Sequence, residues 1–263
     1  MVRLPEEIRL IVRGDDMGMT YSNLLAVEKC FEEGILTCAA ILAIAPWAEA
    51  AAKLAVEHRN WCIGAHLATI GEWRGYRWRP VLPYDKVPSL VDENGFLPQS
   101  PKQFYALNPD YGELEEEFRA QIALLKKWGV ELSYIDMHYI VGDRDPKYMD
   151  VVRRIAADEG LPISGHSGEK RMRGVYSDPP WMKEALLARQ LEELTPGLWL
   201  LVSHLLVDSP ESRGLVHTEP SDVMRGGVGS LRAAEMQCLL SPRIKEIIVK
   251  RRIELIDYRN LKP

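Results

Sequence analysis

Cysteine is scarce in this chain of 263 residues: four in all, Cys30, Cys38, Cys62 and Cys238, with no Cys-x-x-Cys pair among them. That pattern excludes a zinc knuckle and a dense disulfide framework, and it fits a reducing compartment such as the cytoplasm. No apolar run approaches the roughly 20 residues that span a bilayer. The opening Met1-Val2-Arg3-Leu4-Pro5-Glu6-Glu7 leads into no unbroken apolar core, so neither export nor a membrane partner is expected. Basic charge is short as well. Thirty-three Lys and Arg against 38 Asp and Glu leave a formal −5, which argues against nucleic acid as a partner and favours small neutral or polar ligands. Also missing are a linker rich in Gly and Ser, an internal repeat of fixed period, and the Gly-x-Gly-x-x-Gly turn after a first strand.

What is present is alternation. Residues 8–12 form a strand candidate, and residues 22–33 carry apolar side chains at helical spacing up to a stop at Gly34. The pattern repeats as strand 38–44, helix 46–58 and strand 61–67. Residues 70–111 break the rhythm with prolines and aromatics, and so long an irregular stretch in a compact domain reads as a functional loop or lid. Helices over 113–128, 148–158, 181–194, 231–240 and 243–252 then alternate with strands 132–138, 198–204 and 253–258. The reading is an α/β chain forming one domain over 1–263, a distorted or incomplete TIM-like (β/α) barrel with an insertion at about 70–111. An open doubly wound sheet is the alternative.

Parallel βα folds gather chemistry at the carboxyl ends of their strands. Here those ends hold Asp15 and Asp16, then His66, then Asp136 and His138, then His204. In Arg13-Gly14-Asp15-Asp16-Met17-Gly18 the two acids reach one cavity only if the backbone turns, because neighbours in a regular strand point to opposite faces. Two like charges so close call for a cation or a shared proton, although Asp and Gly also make ordinary solvated turns. Asp136 and His138 share a strand face, which sets the carboxylate near the imidazole or near bound substrate. A lone histidine at such a strand end is more often a hydrogen-bonded structural residue than a ligand. Together these residues suit one divalent cation with open positions.

The run Trp73-Arg74-Gly75-Tyr76-Arg77-Trp78-Arg79 admits three readings: Trp73 and Trp78 stacking on sugar faces, single-stranded nucleic acid, or a contact that builds a homo-oligomer. Overall acidity disfavours the second.

Four stretches in order resemble the YdjC-like carbohydrate deacetylases: residues 10–18, residues 63–67, Tyr134-Ile135-Asp136-Met137-His138, and Leu201-Val202-Ser203-His204, with residues 231–242 extending the match. The resemblance implies a distorted barrel of the polysaccharide deacetylase type and removal of an acetyl group from an N-acetylated amino sugar. It implies that Asp16, His66 and His138 hold the divalent metal, zinc or magnesium leading. Asp15 would be general base toward water at the metal, and His204 the acid for the leaving amine, with Asp136 orienting nearby groups. The chain departs from the family where Tyr139, Ile140, Val141 and Gly142 follow His138 in place of further histidines that would line the cleft. Leu205-Leu206 stands where Pro-Gly is usual, and Arg13 replaces a small or amide residue, adding a cation that either lowers carboxylate pKa values or meets an anionic substrate. Two other functions fit the same residues: a metal-dependent sugar isomerase or lyase, and a sugar-binding protein whose cleft has drifted.

Overall fold

A computed structural model describes residues 7–139, 145–219 and 227–261. Residues 1–6, and Ile140, Val141 and Gly142 after His138, lie outside the described residues. The chain runs β1 (Ile8–Met17), α1 (Tyr21–Glu33), β2 (Cys38–Ile41), α2 (Ala48–Glu57) and β3 (Cys62–Leu67), then a 3-10 turn at Pro88–Leu90 and α3 (Pro101–Ala106). It continues through α4 (Tyr111–Lys127), β4 (Leu132–Met137), α5 (Pro146–Glu159), β5 (Lys170–Arg171), α6 (Pro180–Glu192) and β6 (Gly197–His204). The last elements are α7 (Pro210–Arg213), α8 (Val228–Leu240), α9 (Pro242–Lys250) and β7 (Ile253–Leu255).

Local chemistry explains where the helices begin and stop. Thr20 accepts the Asn23 N–H at the start of α1, and Gly34 follows its last turn. Asp145 accepts from Lys147 and Tyr148 at the start of α5, and Gly160 ends it in the left-handed conformation at φ 65°. The final strand is shorter than residues 253–258 suggest, because Asp257 caps a 3-10 turn over Tyr258–Asn260. The two-residue β5 is too short to carry a periodicity in the sequence.

Every strand pairing is parallel, in the order β4-β3-β2-β1-β6-β5, with β7 beside β1. The sheet is curled. In a flat sheet β1 and β4, separated by β2 and β3, would stand about 14 Å apart. Arg13 Nη1 on β1 nevertheless donates to Asp136 Oδ1 on β4 at 2.5 Å, so the strands wrap around a common interior. The result is an incomplete barrel, and the doubly wound alternative is set aside.

Strand alternation sorts the side chains. Leu10 and Val12 of β1, Ile63 and Leu67 of β3, and Leu201 of β6 pack outward against the helices in the main core. Ile11, Cys62, Tyr134 and Leu200 point into the barrel, where Tyr134 stacks on Tyr258 with ring centroids 4.3 Å apart. Following the same inward rows toward the carboxyl ends of the strands reaches Arg13 and Asp15, His66, Asp136, and His204. The barrel is therefore apolar below and polar at its mouth.

The insertion is not a structureless lid. Glu117 of α4 accepts the N–H groups of Val81 and Leu82, and Glu113 accepts from Ser89, so the segment is pinned to α4. Trp73 and Trp78, with Tyr76 packed against them, join a second apolar cluster with Met19, Leu42 and Leu206. All four cysteines are buried and free. No described helix is long and apolar enough to cross a membrane.

Candidate active site

The acidic pair owes its shape to one residue. Asp15 lies on the inward row of β1, and Asp16 would face outward in a regular strand. Its φ is 63°, a left-handed value that bulky and β-branched side chains avoid, and the β1–β2 register shifts between Gly14 and Met17. This kink turns the Asp16 carboxylate inward. Gly18 at φ 95° completes the turn beside the backbone of Ala48.

Three side chains then converge. Asp16 Oδ1 stands 3.3 Å from His66 Nε2 and 3.0 Å from His138 Nδ1, and the two imidazole nitrogens are 3.2 Å apart. Ligands about 2.0–2.2 Å from one cation stand about 3.0–3.4 Å from each other, so the spacing is that of one face of a coordination shell. Asp16 Oδ1 is buried with no aligned hydrogen bond. One carboxylate oxygen and two imidazole nitrogens at this spacing are a donor set that fits a divalent cation.

Each member of the triad leans on a charged neighbour. Arg232 of α8 donates to Asp16 Oδ2 at 2.6 Å. His66 Nδ1 lies 2.7 Å from Asp136 Oδ2, and His138 Nε2 lies 2.9 Å from Glu72 Oε2. Such carboxylates fix the imidazole tautomer that leaves the opposite nitrogen free for a metal. Burial would raise the Asp16 pKa, yet Arg232 and His138 hold it well below the usual carboxylate range. Burial also disfavours charged imidazole, and Asp136 overrides this to lift His66 to about 9. Glu72 and Asp16 lift His138 to about 10 in the same way.

Counting charge explains those directions. Asp15, Asp16, Glu72 and Asp136 are four buried acids around two buried cations, Arg13 and Arg232. Acids outnumber cations there, an excess that protons on the raised His66 and His138 offset and that a divalent cation would offset in their place.

Asp15 and His204 stand beside this centre. Arg13 grips both Asp15 oxygens, at 2.6 and 2.9 Å, and also donates to Ser164. Asp15 Oδ2 is 3.9 Å from His204 Nε2 across a register pair of β1 and β6. Burial, then Arg232, push His204 down to about 4. A cavity of about 910 Å³ opens here, lined among others by Asp15, His66, His138, Tyr139, Tyr176 and His204. It is large enough for a small sugar or a disaccharide.

Arg13 and Asp136 border the cavity but are spent largely on each other, on Asp15 and on His66, so they brace the site. Trp73 and Trp78 are elsewhere than the stacking reading requires. They are 0% and 2% exposed and absent from the cavity wall. Trp73 lies under the Arg232 guanidinium at 5.1 Å, and Trp78 packs 5.8 Å from the His138 ring. Arg77 and Arg79 close over the Phe96 ring within the insertion itself. Sequence reasoning missed Glu72 and Arg232. Arg232 falls within the last matching stretch, but nothing in a helical pattern marks a guanidinium as buried.

An incomplete parallel β/α barrel with a carboxylate and two imidazoles converging at its strand ends is the class of molecule these observations define. Comparison with known families narrows it: residues 9–250 match the model for YdjC-like protein, and the chain belongs to that family. A carbohydrate deacetylase of Geobacillus stearothermophilus is 27% identical over 256 residues, covering 95% of this chain and 96% of its own. One from Enterococcus faecalis is 26% identical over 263 residues, covering 96% and 98%. Among solved structures, a putative cellobiose-phosphate cleavage protein from Enterococcus faecalis superposes with a TM-score of 0.79 at 22% identity, covering 98% of this chain and all of that one. A CE4 family pseudoenzyme from Bacillus anthracis gives 0.50 at 11% identity, covering 98% of this chain and 66% of that one. These two likenesses concern the fold.

Proposed function

We propose that the chain is a metal-dependent hydrolase that removes the acetyl group from an N-acetylated amino sugar or small oligosaccharide. The observation that carries this reading is the triad of Asp16 Oδ1, His66 Nε2 and His138 Nδ1 at 3.0–3.3 Å, whose two imidazoles line a cavity. Family membership and the deacetylases among its relatives support the choice of substrate. A divalent cation on those atoms supplies the Lewis acidity that polarises an acetyl carbonyl and makes water nucleophilic near neutral pH.

The chain's own groups handle the protons. Asp15, fixed by Arg13, takes one from the attacking water. His204 is neutral at rest, being pushed down to about 4, so it serves as an acid only after receiving a proton. The 3.9 Å between Asp15 Oδ2 and His204 Nε2 makes that transfer short. His204 then gives the proton to the departing nitrogen as the C–N bond breaks, and acetate and a free amine leave.

The test is acetate release from N-acetylated mono- and disaccharides by the metal-loaded protein, run beside an aldose–ketose interconversion assay. Acetate is expected without interconversion. Interconversion without acetate, or neither product, overturns the reading.

A further inference from the structure

Behind the cavity wall another ion pair is buried among the described residues. Lys183 on α6 and Glu235 on α8 stand 3.3 Å apart with side chains 0% and 1% exposed. Neither lines the cavity. Lys183 Nζ donates to the carbonyl of Tyr176 at 2.8 Å and to that of Val175. Glu235 Oε2 accepts the backbone N–H of His204 at 2.8 Å. The pair thus clamps the backbone at two residues that do line the cavity, Tyr176 and His204, whose rings meet with centroids 4.5 Å apart.

Stability does not account for this arrangement. Burial pushes Glu235 up to about 7 in spite of Lys183, so desolvation takes more from the carboxylate than its neighbours return. Apolar residues of like volume in place of a buried ion pair are often neutral or stabilising. Orientation does account for it. His204 is the last residue of β6, and its N–H goes to Glu235 instead of to a neighbouring strand. Its buried Nδ1 has no hydrogen-bond partner among the described residues. The ring therefore takes its direction from the backbone beneath it and from the Tyr176 ring beside it. The pair holds the backbone under both rings, and Arg232 lies over the Tyr176 ring at 5.7 Å.

We propose that Lys183 and Glu235 are positioning residues that aim the His204 imidazole at Asp15 by holding the backbone of His204 and of Tyr176. The proposal rests on the reading of His204 as the proton carrier.

The test replaces the pair with apolar residues, Lys183→Met with Glu235→Leu, in the full chain. A melting temperature equal to or above that of the wild type is expected, with unchanged metal content and KM within about twofold, while kcat falls by about tenfold or more. In the metal-loaded protein labelled at histidine, the His204 ring resonances should shift or broaden, a change that a purely structural pair would not produce. Glu235→Gln keeps an acceptor for the His204 N–H, so it should lose less activity than the double variant. It also decides the matter if the double variant does not fold. Wild-type kcat with unmoved His204 resonances in the double variant overturns the proposal, as does a tenfold or greater fall in kcat for Glu235→Gln, which keeps the acceptor, or a loss of bound metal that parallels the loss of kcat. A wild-type protein that releases no acetate from any N-acetylated sugar breaks the functional reading instead, and the histidine spectra still decide this one.

Discussion

The strand ends and the segment 73–79 look equally rich in chemistry as sequence, and the fold uses them in opposite ways. At the strand ends Asp15, Asp16, His66, His138 and His204 come from four strands or their edges and meet around one opening. In the segment Trp73 and Trp78 turn away from the opening, one beneath Arg232 and the other against His138. The aromatics form the dry backing that keeps the polar centre in a low dielectric, where its charge pairs are strong. The lesson is that residue type signals chemistry only when topology also supplies a direction.

That contrast can be broken from the polar side with the largest effect. Asp16→Ala or His66→Ala should abolish metal retention, read by elemental analysis of the purified protein, and reduce acetate release by about a thousandfold or more. Metal held by both variants would remove the triad from the site. Next come the groups that orient the triad. Glu72→Gln and Asp136→Asn should weaken metal affinity or turnover by about 10- to 100-fold with little change in melting temperature, since the imidazoles keep a hydrogen-bonding neighbour of the same shape.

Acidity gives a third measure. Against burial, Asp136 and Glu72 raise His66 and His138 to about 9 and 10, so a metal binding to these imidazoles is expected to expel protons. Apparent metal affinity should therefore fall about tenfold per pH unit for each proton displaced as the pH is lowered from 9 to 6, with proton release seen by calorimetry in buffers of different ionisation enthalpy. The sign reverses for the stability of the metal-free chain. Raised imidazole values contribute stability that is fully present below about 6.5 and is lost as pH rises through 9 to 10. Thermal melts of metal-free protein should drop across that window, and those of loaded protein should drop less.

The aromatic side should respond through stability more than through binding. Trp73→Phe leaves a gap beneath Arg232 and should cost about 1–3 kcal/mol in denaturant unfolding while lowering turnover only a few-fold. Arg79→Ala, exposed and confined to the insertion, should change stability by no more than about 0.5–1 kcal/mol and leave KM unaltered. A large rise in KM from either would restore the sugar-stacking reading.

Much of this was legible in the sequence because strand alternation is strict. Once residues 8–12, 61–67, 132–138 and 198–204 read as parallel strands, their polar termini had to share one end of the barrel. Asp16 was legible as a residue but not as a conformation, because the kink comes from the aspartate's own left-handed φ more than from its flanking glycines. Glu72 arrives from a loop and Arg232 from a helix, and burial of a charge is decided by tertiary partners that no local pattern encodes. The burial of Trp73 and Trp78 was not legible for the complementary reason: an aromatic in a polar run looks exposed, and the second apolar cluster that absorbs it is assembled from Met19, Leu42 and Leu206, far away along the chain.

Arg232 and Glu235 lie three residues apart on one face of α8, the first gripping Asp16 and the second the backbone of His204. One rigid rod thus sets the registration of both halves of the centre. A single residue inserted between them would swing one by about 100° relative to the other. Such an insertion would part Asp16 from Arg232 or the His204 backbone from Glu235, so the spacing inside that helix matters as much as the side chains it carries.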